Sequence, residues 1–113
     1  MEGMELVAFN IISHVGTAKS LVMEALYAAR DGKFSEAEAK LKESKDYLSL
    51  GHHAHFDLIQ KEAAGEQLSL SLLMMHAEDQ MMSVETMTDL VKEMIYMHKE
   101  LATVKSMVNS QIS

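Results

Sequence analysis

LLMMHAEDQMMSVETMTDLVKEMIYMHKEL, residues 72–101, carries the pattern on which the fold turns. It contains neither Pro nor Gly, so nothing interrupts a helical hydrogen-bond ladder. One stripe at helical spacing runs Leu73, Ala77, Gln80, Val84, Met87, Val91, Met94, His98 and Leu101. A second, rotated around the same helix and starting just upstream, runs Leu68, Leu72, Met75, Asp79, Met82 and Thr86. A helix in a three-helix protomer needs only one apolar face. The second face therefore predicts an oligomer, in which copies of the chain cover it and enlarge a small core.

Upstream, the chain has two natural breaks. Asp31-Gly32-Lys33 and Ala64-Gly65-Glu66 each end an apolar helical run, with the Gly free to take the left-handed conformation beyond the last turn. Met4, Ala8, Ile11, Val15, Ala18, Val22, Ala25 and Ala29 step by fours and threes, the period of a packed helix seam. Ala37, Leu41, Leu48, His55 and Leu58/Ile59 form a sparser stripe, with Glu36, Glu38, Lys40, Lys42, Glu43, Lys45 and Asp46 on the solvated side. Ser35 and Glu38 stand at capping-box spacing, which predicts a helix start close to Phe34. The expected architecture is all-α: an antiparallel three-helix bundle with helices over about 4–31, 34–63 and 68–102, in a single domain spanning 1–113. From Thr103 charge and periodicity fade, and the end is expected to fray.

Composition narrows the function. Seventeen acidic residues against ten basic ones, a formal charge of −7, leave no cationic footprint for nucleic acid. Without Cys there is no disulfide, thiolate metal site or cysteine nucleophile. The longest uninterrupted apolar run is far short of a membrane span, and the N-terminus has no basic signal-peptide start. These features suit a small cytoplasmic protein. No Gly-rich phosphate loop is present, so a nucleotide is not expected.

Asp79 is the first chemical anomaly, a carboxylate in an otherwise apolar stripe. It is either an exposed residue at the edge of the stripe or a group that converges with its symmetry copies on an oligomer axis. The second arrangement calls for raised pKa values or a hard divalent cation such as Mg²⁺. His76 and Gln80 share that region of helix surface. No hydrolytic triad accompanies His76, so a chemical role would be transfer of a group onto and off the ring. His52, His53 and His55 cluster on the second helix, where His52 and His55 could share Zn²⁺ but more simply serve a structural or supporting role. The eleven Met residues read as flexible fillers of the core and of subunit contacts.

The stretch LLMMHAEDQMM, 72–82, resembles LLMVHAQDHLM, the signature of the lactose/cellobiose-type IIA components of the bacterial sugar phosphotransferase system. Gly16-Thr17-Ala18-Lys19-Ser20 is similar to that family's GxARS, Asp31-Gly32-Lys33-Phe34 to its SGDF turn, and HHAHFDLIQKEA, 52–63, to its HHVQTxLIQxEA. The resemblance covers roughly residues 5–101. It implies a trimer of three-helix protomers, with His76 as the phosphorylated histidine and Asp79 at the trimer axis around a divalent cation. It further implies a phosphocarrier that takes its phosphoryl group from the carrier protein HPr and passes it to a cysteine of a IIB component. A IIC transporter then imports lactose, cellobiose or a related β-glucoside.

Two departures stand out. Gln80 replaces the family's His, and His55 replaces its Gln, an apparent reciprocal exchange in which His55 approaches Gln80 and partly supplies the missing imidazole. Phosphoryl transfer asks the protein mainly to present an unprotonated ring nitrogen in line and to steady the equatorial oxygens. Glu78, a backbone carbonyl or a neighbouring subunit could fix the tautomer of His76. The competing readings are a non-catalytic helical adaptor or scaffold, and a His/Asp metal-binding bundle.

Overall fold

Small residues decide how closely the three helices approach. The computed structural model describes residues 3–68 and 71–112. Its helices are α1 (Gly3–Arg30), α2 (Phe34–Ala63) and α3 (Leu72–Ile112). Ala8, Ala18, Ala25, Ala28 and Ala29 of α1 are buried, together with Ile11, Val15, Leu21 and Val22. This wide small-residue surface lets α1 pack extensively against both other helices, whereas α2 and α3 touch each other little. By length and hydropathy α1 could cross a membrane, yet here it is the central element of the bundle, with its alanine face turned inward.

Both expected breaks take the expected form. Gly32 has φ +79°, with its N–H donating to Ala29 O at 3.0 Å and the Lys33 N–H reaching back to Ala28 O at 2.8 Å. Gly65 has φ +94°, and the Gly65 and Glu66 N–H groups donate to Glu62 O and Lys61 O, both at 3.1 Å. These paired bonds satisfy the last carbonyls of α1 and α2 and reverse the chain within a few residues.

Three sequence expectations are corrected at the helix ends. Helix α2 starts at Phe34 as expected, but Lys33 occupies the cap position without a side-chain cap bond. Ser35 is already helical, and Glu38 is committed to Lys99 of α3 at 2.6 Å. Helix α3 does not begin at Leu68, which is outside any helix; residues 69 and 70 lie outside the described residues. Ser71 caps it instead, its Oγ accepting the Met74 N–H at 3.1 Å. The end of α3 does not fray at Thr103 but stays helical to Ile112.

The seams also differ in detail. On α2, Ser44 and Gly51 complete the buried row with Ala37, Leu48 and Leu58, while Ile59 is exposed. On α3 the buried row is Met74, Ala77, Met81, Val84, Thr88, Val91 and Ile95. Ala77, Val84 and Val91 were expected there; Leu73, Met94 and Leu101 are exposed instead. Two adjacent rows of α3 are apolar, and only packing against α1 selects between them. Thr88 and Ser44 escape a polarity-based reading because each hydroxyl donates to its own helix, to Val84 O and Leu41 O, both at 2.7 Å.

Forty-one residues at about 1.5 Å each make α3 roughly 60 Å long, against about 42 Å for α1. The structure measures 69 × 23 × 20 Å, and α3 runs on past the end of α1 with every residue from Glu100 to Ile112 exposed.

A Cβ on Gly51 would stand 3.2 Å from Val15 Cγ2 and 3.6 Å from Met81 Sδ, where the three helices meet. Gly51→Leu should therefore lower stability by about 1–3 kcal/mol in denaturant unfolding, while Gly51→Ala should stay within about 1 kcal/mol of the parent because gained helix propensity offsets the tight contact. The Lys99 ammonium, by hydrogen bond and charge, holds the Glu38 carboxyl below its ordinary value. The sign follows: this pair favours the folded state above the unfolded carboxylate value and loses that effect as pH falls through the depressed one. In Lys99→Ala, a carboxyl NMR titration should find Glu38 back at the ordinary carboxylate value.

Candidate functional site

The rotation of α3 distributes its chemistry. With Ala77 in the core, each residue is turned by about 100° from the last, so His76 and Glu78 emerge on opposite flanks. Gln80 shares the His76 flank and is half-buried, whereas His76 itself is exposed. Asp79 is exposed on the outer face, in line with Leu72, Met75, Met82 and Thr86. These outer residues carry large exposures for apolar side chains: Leu72 83%, Met75 59% and Met82 64%. Among the described residues, none makes a side-chain hydrogen bond or ion pair with His76, Asp79 or Gln80. The exposed imidazole thus has no side-chain partner among the described residues.

The other flank of α3 faces α2. Glu78 Oε2 lies 2.5 Å from His55 Nδ1, Glu85 Oε1 lies 2.6 Å from His52 Nε2, and Lys99 reaches Glu38. Glu78, Glu85 and Lys99 are spaced in multiples of seven, and they pair with residues that descend along α2. The His55–Glu78 approach is close, yet the enclosed Nδ1 has no hydrogen bond of good geometry, so we read it as a close polar contact rather than a linear hydrogen bond.

The expected approach of His55 to Gln80 is therefore not what this chain makes. His55 meets Glu78, about 200° of helix rotation away from Gln80. Glu78 in turn faces His55 and stands on the flank opposite His76 of the same chain. The signature HAQD carries Gln where this chain has Glu78, so the exchange that matches His55 lies two positions earlier than expected. That clue was legible in the sequence; its significance depended on knowing which flank of α3 faces α2.

The His52/His55 pair does not form a zinc site either. Each imidazole is matched to a different glutamate, and no group of three metal-capable side chains occurs among the described residues. His53 is exposed, and His14 lies in the bundle with its ring centroid 6.5 Å from that of Tyr47. His98 borders an apolar groove with Leu26, Tyr27, Met94 and Leu101. Asp79 alone offers one hard oxygen ligand per chain, which suits a divalent cation only where several copies bring their carboxylates together.

A family model described as the lactose/cellobiose-specific IIA subunit of the phosphotransferase system matches residues 6–99. The oligo-beta-mannoside-specific EIIA component of Bacillus subtilis is 44% identical over 95 residues, covering 84% of this chain and 86% of that protein. A lactose-specific EIIA component from Staphylococcus aureus is 35% identical over 98 residues, covering 87% and 95%. Among solved structures, the cellobiose-specific enzyme IIA of Bacillus anthracis superposes with a TM-score of 0.87 at 36% identity, covering 91% of this chain and 95% of that one. The chitobiose IIA in the Escherichia coli IIA–HPr complex gives 0.78 at 30% identity, covering 90% and 99%. With its three helices, its exposed histidine at the start of α3 and these likenesses, the chain belongs to the lactose/cellobiose-specific IIA family of the sugar phosphotransferase system.

Proposed function

We propose that this protein is a cytoplasmic phosphocarrier in which His76 accepts a phosphoryl group from phospho-HPr and passes it to a cysteine of a cognate IIB component. The observation that carries this reading is an exposed, unpartnered imidazole on a rigid helix, in a chain of the IIA family. A IIA relative solved in complex with HPr supports the donor. In the first step an unprotonated ring nitrogen of His76 attacks phosphorus. A new N–P bond forms, and the electron pair of the breaking N–P bond returns to the donor imidazole. In the second step the IIB thiolate forms an S–P bond and His76 regains its free ring nitrogen. The relay serves uptake of lactose, cellobiose or a related β-glucoside.

The transition state is loose, so positioning and charge do most of the work. Gln80, on the same flank, offers an amide N–H to the phosphoryl oxygens. The proton on the other nitrogen of His76 finds no acceptor among this chain's described side chains, and we assign that role to a neighbouring copy or a backbone carbonyl.

Self-association as a trimer is the second half of the proposal. The exposed stripe that begins at Leu72 and Met75 continues along the outer surface of α3 through Leu90, Met97, Leu101, Val104, Val108 and Ile112. An apolar stripe of this length, running past the bundle into solvent, is what copies of the chain would cover. In a parallel arrangement three Asp79 carboxylates converge, and these residues would hold a divalent cation, most simply Mg²⁺, that neutralises their mutual repulsion.

Incubation with enzyme I, HPr and phosphoenolpyruvate should add one acid-labile phosphate per chain, and His76→Ala should take none; labelling of His76→Ala would overturn the site. An adaptor or a metal-binding bundle would acquire no phosphate. In sedimentation equilibrium the parent should be trimeric. Replacing Leu101, Val104 and Val108 together by Gln should raise the concentration for half-assembly at least about tenfold, as expected for three lost apolar contacts per chain.

A further inference from the structure

We infer that His55 and Glu78 form a positioning pair, which fixes the first turns of α3 against α2 and holds the Glu78 charge on the flank away from the phosphoryl group. This rests on the reading of His76 as the phosphoryl carrier. Helices α2 and α3 touch each other far less than either touches α1, so polar ties between them carry unusual weight. Of those ties, His55–Glu78 lies nearest the start of α3, in the turn that contains His76. Met74 and Ala77 anchor that turn in the core, where Leu58 of α2 belongs to the same buried cluster. A cleft of about 380 Å³ lies beside it, bordered by Met4, Leu58, Ile59, Leu68 and Met74 as well as by the pair itself.

Three observations converge on the pair. The two groups are only partly exposed, 33% for His55 and 25% for Glu78, so their interaction is screened less than a surface contact. The enclosed Nδ1 of His55 has no hydrogen-bond partner of good geometry among the described residues, and the Glu78 carboxylate at 2.5 Å is the polar group that faces it. Both residues replace Gln in the motifs HHVQT and HAQD, a joint exchange of two neutral amides for an acid and a base. Removing His55 alone would free a carboxylate in the same helical turn as an incoming phosphoryl dianion. It would also remove a polar tie between α2 and the first turns of α3. Small displacements of a reacting group are costly because in-line geometry is demanding.

The test uses the full chain with His55→Gln, Glu78→Gln and the double variant, measuring transfer from phospho-HPr together with the NMR resonances of the His76 ring. Each single variant should lower kcat by about threefold to tenfold with KM for phospho-HPr unchanged, a span typical of coupled neighbouring charges. The double variant should recover to within about twofold of the parent, since like partners are restored. The His76 ring resonances should move in each single variant and return in the double. Single variants that transfer at the parental rate, or a double variant slower than both, would overturn the inference. The NMR readout needs no phosphate, so unmoved His76 resonances overturn the pair even if the parent takes no label. Conversely, a parent that takes no label while those resonances respond overturns the carrier reading and leaves the pair as a coupling to His76.

Discussion

The rotation of α3 about its own axis is the constraint from which the rest follows. Burial of Met74, Ala77, Met81, Val84, Thr88, Val91 and Ile95 against the bundle fixes that rotation. Slipping to the neighbouring row, through Leu73, Gln80 and Met87, would put an amide into the core and take Met81 and Ile95 out of it. Once the row is chosen, His76 and Gln80 fall on one flank, Glu78 and Glu85 on the other, and Asp79 on the outer face. A single packing decision thus separates the imidazole from the nearest glutamate and leaves it free for chemistry.

The central position of α1 makes this possible. Its alanines allow two long helices to approach without themselves filling much space, and Gly51 of α2 lets the three meet closely beside Val15 and Met81. The consequence is an asymmetric bundle. Helix α1 is well covered, while α2 and α3 are joined across their open side by pairs such as His55–Glu78, His52–Glu85 and Glu38–Lys99. Exposed pairs like Glu38–Lys99 add little to stability by themselves. Their spacing matches a single register of α2 against α3, the one in which core packing places the first turn of α3.

A histidine that carries phosphate between proteins must be reachable and yet well oriented. Exposure of His76 meets the first requirement, and a rigid helix anchored by Met74 and Ala77 in the core meets the second. The long uncovered stripe of α3 is a liability for a monomer in water and an asset for an assembly. In the proposed reading, function and self-association draw on the same helix, with chemistry on its flank and apolar surface along its outer face.

Much was determined locally. The absence of Pro, the two glycines that close α1 and α2, and the 3.5-residue period of α1 specify three helices and their order, because capping and hydrogen-bond chemistry act over a few residues. The stretch around His76 likewise declared the family and the candidate phosphoryl acceptor. What the sequence alone left undecided was which of two overlapping, largely apolar rows of α3 is buried, and with it the partner of His55. Neighbouring rows differ by only one residue in register and share Ala77, Val84 and Val91, so periodicity separates them weakly; contact with the alanine face of α1 decides. The start of α3 at Ser71 and its continuation to Ile112 also belong to the three-dimensional structure, since a weakly periodic tail can still extend a helix already nucleated upstream.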